Sequence, residues 1–324
     1  MTPPRARGRA LPWVALVAVY VLWGSTYLGI KVAIETLPPF TMAGVRFLLA
    51  GTLLYPLARR RPAAARPTRR QWAAAAGVGV LLLVGGNGLV TFAEQTIPSG
   101  IAALLVATVP LWMVALDRLT GGGRLRWQVV AGLVLGSAGV LLLVRPWEGV
   151  GGEIDAVGAG IVLIGSLSWA IGSLRARTAP LPPEPLQGTA MQMLVAGVVL
   201  LLLGAATGEP ADVRVGEVSA ASLAALAWLV GAGSIVAFSA YGYALRTLPT
   251  ATVATYAYVN PIVAVALGWA ILGERLSGQT LLAGAVIAVA VVLIVTFRTR
   301  PAAPKTGGQA PVPQKRALAS ARRR

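Results

Sequence analysis

Residues 93–128 recur at 244–279 without a gap, an offset of 151 positions that superposes Pro98 on Pro249, Pro110 on Pro261 and Arg124-Leu125 on Arg275-Leu276. A chain written this way is one unit used twice, so its fold must be assembled from two similar halves. Each copy lies in nearly continuous apolar sequence. Fused repeats of membrane helices are the usual build of secondary transporters, whose sites lie between the halves. Transport is therefore the leading expectation.

Of 324 residues, 56% are hydrophobic and 12% are charged, with a mean hydropathy of +0.73. A soluble domain has no way to hide that much apolar surface. The chain has neither Cys nor His, which removes disulfides, thiolate catalysis, zinc fingers and the commonest general base. It has no glycine-rich phosphate loop, metal cluster or cofactor motif either. An enzyme is the least favoured class and no cofactor is expected. The formal net charge of +17 resides in short loops and tails rather than among exposed aromatics, which argues against nucleic acid and for a lipid bilayer as the surrounding partner.

A hydrocarbon core of about 30 Å needs roughly 20 apolar residues per helix. On that measure ten spans are predicted, at 11–34, 40–58, 71–92, 98–119, 127–144, 154–174, 186–206, 219–245, 249–272 and 280–297. The first is too long for a cleaved signal, contains Lys31, and is expected to stay as an anchor. With the amino terminus in the cytoplasm, 23 of the 28 basic residues fall inside, the exceptions being Lys31, Arg46, Arg145, Arg214 and Arg275. Nine of the eleven acids then face outward or lie near the outer ends, Glu148, Glu153 and Asp155 among them. Cytoplasmic loops retain Lys and Arg, so both termini are expected inside.

The predicted organisation is a basic segment 1–10, a first five-helix repeat 11–144, a linker 145–153, a second repeat 154–297 and a disordered basic tail 298–324. The tail suits anionic headgroups. Five spans per copy is an odd number, so the second copy must enter the membrane upside down. The expected fold is an all-α integral membrane protein of ten transmembrane helices in two inverted five-helix repeats. A weaker match at an offset of 146 sets Trp23 over Trp169 and Lys31 over Arg177.

Trp23-Gly24-Ser25-Thr26-Tyr27, Ile30-Lys31, Leu37-Pro38-Pro39-Phe40 and Arg46-Phe47 resemble the first two helices of the EamA family in the drug/metabolite transporter (DMT) superfamily. Asn87-Gly88, the run 93–100, the run 107–112 and the run 256–261 resemble its YedA-like branch. The resemblance covers roughly residues 11–297 and implies an inverted five-plus-five arrangement in a bacterial inner membrane. It also implies export or exchange of small metabolites, amino acids and related or drug-like compounds among them. It does not select one substrate.

Ionisable groups at membrane depth are costly and normally face a cavity or a partner. Arg46 is a candidate to hold a substrate carboxylate, against a structural pairing with Glu94 or Glu35 or a snorkelling side chain. Glu94 is the candidate for proton coupling, against charge pairing or capping of the helix that starts at Pro98. Lys31 is expected to snorkel, and Asp117 to close the fourth span. Pro110 and Pro261 are expected to kink spans four and nine symmetrically, which places a cavity beside them. Trp23, Thr26, Asn87, Trp169, Tyr243, Tyr256, Tyr258 and Asn260 complete the candidate substrate set, suited to a zwitterion with an apolar or aromatic side group.

Gly132-x-x-x-Gly136 and Gly284-x-x-x-Ala288 let helices five and ten pack closely, within one chain or across a homodimer. The combined expectation is an efflux or exchange transporter working by alternating access and driven by a gradient, with a proton as coupling ion. The alternatives are an ungated facilitator and a non-transporting membrane scaffold or receptor.

Overall fold

The computed structural model describes residues 7–119, 126–144 and 154–297 apart from Val213, Pro249, Ala254 and Leu276. The predicted linker 145–153 with Glu148 and Glu153, the tail 298–324, residues 1–6 and the Arg124-Leu125 pair lie outside the described residues.

Ten helical passes follow one another: α1 (Arg7–Ala33), α2 (Pro39–Arg59), α3 (Arg69–Ala93), α4 (Ser99–Leu119), α5 (Trp127–Val144), α6 (Ala156–Ala176), α7 (Pro185–Ala206), α8 (Ala220–Thr247), α9 (Tyr256–Leu272) and α10 (Gly278–Phe297). Among the described residues, nine of these are long and apolar enough to cross a bilayer unaided. The remaining one, α9, has 17 residues and is preceded by the short helix Thr250–Val253. Local chemistry starts and stops them. Thr68 and Gln71 form a reciprocal capping box at α3, Asp155 accepts from the N–H groups of Val157 and Gly158 at α6, and Ser219 accepts from Ser222 N–H at α8. Thr96 and those two amides hold the Asp155 carboxyl below its ordinary range, which joins the α3–α4 turn to the second half.

The packing follows the repeat. Helices α2 and α7 lie along one another, as do α5 and α10, so each pairs with its own repeat mate. The α3–α6 contact is mirrored by α8–α1, and α4–α6 by α9–α1. Two halves related by an approximate twofold axis produce this pattern. The α2–α7 approach is close enough that a Cβ on Gly197 would lie 2.6 Å from the Leu48 nitrogen. Phe47, Leu54, Leu83, Met193 and Leu200 fill one core between α2, α3 and α7, while Leu105, Val129, Val162, Ile287 and Ile294 fill another between α4, α5, α6 and α10.

Three features depart from ten simple spans. Helix α3 changes to π geometry over Val80–Gly88, and its repeat mate α8 does so over Leu229–Val236. π segments inside α-helices are frequent at functional sites. Helix α4 is broken at Ala107 and Thr108 between Ser99–Val106 and Val109–Leu119. Pro110 therefore lies in the first turn of a restarting segment, where its missing N–H costs nothing, whereas Pro261 lies inside continuous helix. The two prolines are symmetric in sequence and unlike in their geometry.

Candidate functional site

Helix α2 carries Arg46, only 2% exposed, between the two π turns. Its Nε donates to Ser234 Oγ of α8 at 3.1 Å and its Nη1 to Asn87 Oδ1 of α3 at 3.4 Å. The guanidinium carbon lies 4.9 Å from the Phe47 ring centroid. One buried cation thus joins repeat-related segments of both halves, and its planar fork is what permits two divergent bonds. These bonds go to neutral groups rather than to Glu94 or Glu35. Thr26 borders the same place: a Cβ on Gly233 would lie 2.9 Å from its methyl, while its hydroxyl donates to Trp23 O at 2.6 Å.

One helical turn along α1, Trp23 is the hub of an aromatic cluster. Its ring centroid is 5.2 Å from Phe238, 5.0 Å from Tyr241 and 5.2 Å from Tyr256, and Tyr241 and Tyr256 are 5.7 Å apart. Edge-to-face geometry predominates, as the ring quadrupoles favour. Helices α1, α8 and α9 supply these rings.

Of the residues singled out in sequence, the structure brings Trp23, Thr26, Arg46, Asn87 and Tyr256 into this region. Trp169 packs on the core between α2, α3 and α7. Tyr243 packs, as Tyr241 also does, against Ala15, Leu16 and Val253, and Tyr258 packs toward the core around α4 and α10. The Asn260 amide, oriented by the carbonyls that face it, donates to Tyr20 O at 3.3 Å and Tyr256 O at 3.2 Å. It tethers α9 to α1 beside the Pro261 position. Ser234, Phe238 and Tyr241 were not singled out. Their signal is the Gly-rich run 231–234 in mid-span, which marks a π turn and shifts the face that the following aromatics present.

Glu94 ends α3 fully buried, and neither carboxylate oxygen has a hydrogen-bond partner. The charged groups that act on it are Lys31, Glu274 and Arg46. Lys31 does not snorkel: its Nζ donates to the carbonyls of Glu94 and Ile97, the latter at 3.1 Å. Both carbonyls lie in the turn that follows α3, at the negative end of that helix, and an ammonium satisfies them there. The start of α4 is capped by Glu274 rather than by Glu94, because Glu274 accepts from Ser99 N–H at 2.7 Å and Gly100 N–H at 3.1 Å.

The family model described as the EamA-like transporter family matches residues 11–145 and again 156–296. The chain belongs to the EamA-like transporter family. This EamA member is 44% identical over 285 residues, 86% of its own length and 89% of the relative's, to YedA, an uncharacterized inner membrane transporter of Escherichia coli strain K12. It is 27% identical over 306 residues, 89% of its length and 95% of the relative's, to a probable amino-acid metabolite efflux pump of the same strain. A crystal structure 19% identical in sequence shares the fold with a TM-score of 0.58, over 91% of this chain and 99% of that one. An EamA transporter is a multi-pass membrane protein and not an enzyme.

Proposed function

We propose that the protein is a secondary transporter of the bacterial inner membrane that exports or exchanges small organic metabolites by alternating access. The observation that carries the reading is the Arg46 fork between Asn87 and Ser234. A buried cation held by neutral partners from both halves is free to meet an anionic group, and it does so where the helices of the two repeats are irregular. The Trp23, Phe238, Tyr241 and Tyr256 rings nearby suit the apolar or aromatic part of the same ligand. An amino acid or a related zwitterion combines these two chemistries, in keeping with the name of the 27% identical relative. Trp169, Tyr243 and Tyr258, which pack on neighbouring helices, and Asn260, which tethers α9 to α1, are assigned a supporting part rather than a direct ligand contact. Glu94 is the proposed proton carrier.

Purified protein in liposomes, given a labelled amino-acid and metabolite panel with and without a pH gradient, tests this directly. Saturable flux that rises with the gradient is expected. Absence of flux for every compound would favour the scaffold reading, and flux indifferent to the gradient would favour a facilitator.

The proposed orientation places both termini in the cytoplasm, with repeats at 11–144 and 154–297. A cysteine at the exposed Thr207 is expected to react with an impermeant maleimide added outside, and one at the exposed Ala63 to react only after permeabilisation. The reverse pattern would invert the topology. The α5–α10 pair remains the proposed face for a homodimer, readable from the mass of the detergent-solubilised particle.

A further inference from the structure

At the end of the bundle where α1 and α3 finish and α2 and α4 begin, two carboxylates of the second half close onto the first. Helix α7 stops at Ala206 and the chain turns through Gly208 at φ 84°. Glu209 then accepts from Phe40 N–H at 2.9 Å, Thr41 N–H at 2.6 Å and Thr41 Oγ1 at 2.8 Å. Helix α9 stops at Leu272 and turns through Gly273 at φ 65°, and Glu274 takes the first amides of α4.

The device is the same both times: a helix, a left-handed glycine, a glutamate, and the amino end of a first-half helix that opens behind proline. First-turn amides have no acceptor within their helix and lie at its positive end, so an ionised carboxylate is a strong partner for them. Each seat is cleared by a glycine. A Cβ on Gly204 would lie 2.7 Å from Glu209 Oε2, and one on Gly268 would lie 3.0 Å from Ser99 Oγ.

The opposite end is built differently. There the described links between the halves are Gln187 Nε2 to Ala65 O at 2.8 Å, the Tyr20–Thr255 hydroxyl pair and the Arg126 guanidinium 5.8 Å from the Phe297 ring centroid. The repeat explains why: at the offset of 151 the mate of Glu274 is Gly123, and residues 59–70, which correspond to the Glu209 turn, contain no acid. Charge-assisted closure is present at one end, and its repeat counterpart is not encoded at the other.

We infer that Glu209 and Glu274 are positioning residues that latch this end shut, and that both carboxylate caps must release when the transporter opens to that side. The inference rests on the alternating-access reading, because only contacts that differ between two states bias their populations.

The chain has no native cysteine, so single reporters are available. Ala264→Cys lies buried in α9 below the Glu274 cap, and Ala15→Cys lies buried at the opposite end. In membranes without added substrate, Glu209→Gln with Glu274→Gln is expected to speed maleimide labelling at position 264 roughly tenfold, the scale of losing charge-assisted bonds. Labelling at position 15 should stay unchanged or slow. Each single Gln variant, which keeps an acceptor oxygen and the side-chain shape, should fall between. Unchanged labelling at 264, or equal acceleration at both positions as a loosened fold would give, overturns the latch. The readout needs no substrate, so a panel in which nothing is carried would count against transport without deciding this result.

Discussion

Arg46→Gln is expected to lower initial flux about tenfold or more while leaving the protein in the membrane at normal abundance, since hydrogen bonds to a charged group are worth ~1.5–3 kcal/mol. The glutamine can still reach one of Ser234 and Asn87, so the tether between the two π turns is weakened rather than removed. What it loses is the positive charge available to a substrate anion. Arg46→Lys separates the two roles: the charge is kept, but a single ammonium on a flexible stem has no fork. Flux between that of wild type and Arg46→Gln is expected for it. Ser234→Ala supplies the converse control, because it removes a tether and keeps the guanidinium. If Arg46 serves only to hold the π turns, Ser234→Ala will match Arg46→Gln in both flux and melting temperature. Unchanged flux in Arg46→Gln would remove Arg46 from the ligand site altogether.

The repeat, the ten passes and the burial of Arg46 were legible because each follows from a strong local signal. Twenty apolar residues in a row have few destinations, and a gapless internal match dictates two halves. The caps at Thr68, Asp155 and Ser219 were not read, and the apolar count set those span starts at 71, 154 and 219 where the helices begin at Arg69, Ala156 and Ala220. The π turns were not read, although Gly85-Gly86-Asn87-Gly88 and Gly231-Ala232-Gly233-Ser234 mark both of them. Their consequence is a change of helical phase, and phase decides whether Tyr241 or Tyr243 faces Trp23. Tyr241 rather than Tyr243 makes the ring contact with Trp23, although both pack against Ala15 and Val253. Pro110 and Pro261 misled for a related reason. Identical residues at mated positions imply like geometry only if the backbone around them is alike, and the break falls at Ala107 and Thr108 in α4 but at Thr255, well ahead of Pro261, in the second half. Carboxylate caps are the hardest case, because Glu274 and Ser99 are 175 positions apart in sequence and nothing local joins them.

Glu94→Gln is expected to abolish the dependence of flux on the pH gradient while preserving the flux measured without one. Both Glu94 oxygens are buried without hydrogen bonds, and an ionised carboxylate so placed is costly unless cations offset it. Burial and Glu274 oppose the charged form, while Lys31 and Arg46 favour it. The balance therefore depends on where those three groups stand, and a change of state that moves any of them moves the preference of Glu94 for its proton. Lys31 is fixed by the carbonyls of Glu94 and Ile97, which the substitution leaves intact, so the fold around position 94 should survive it. Glu274 is the group expected to move, because its hydrogen bonds cross between the halves. Glutamine has nearly the same shape and no proton to exchange, so it locks the site in the neutral form. Gradient-driven flux that persists in Glu94→Gln would show that another group carries the proton. Loss of all flux, with and without a gradient, would instead make Glu94 part of the substrate path, as a counter-charge for the ammonium of a zwitterion whose carboxylate meets Arg46.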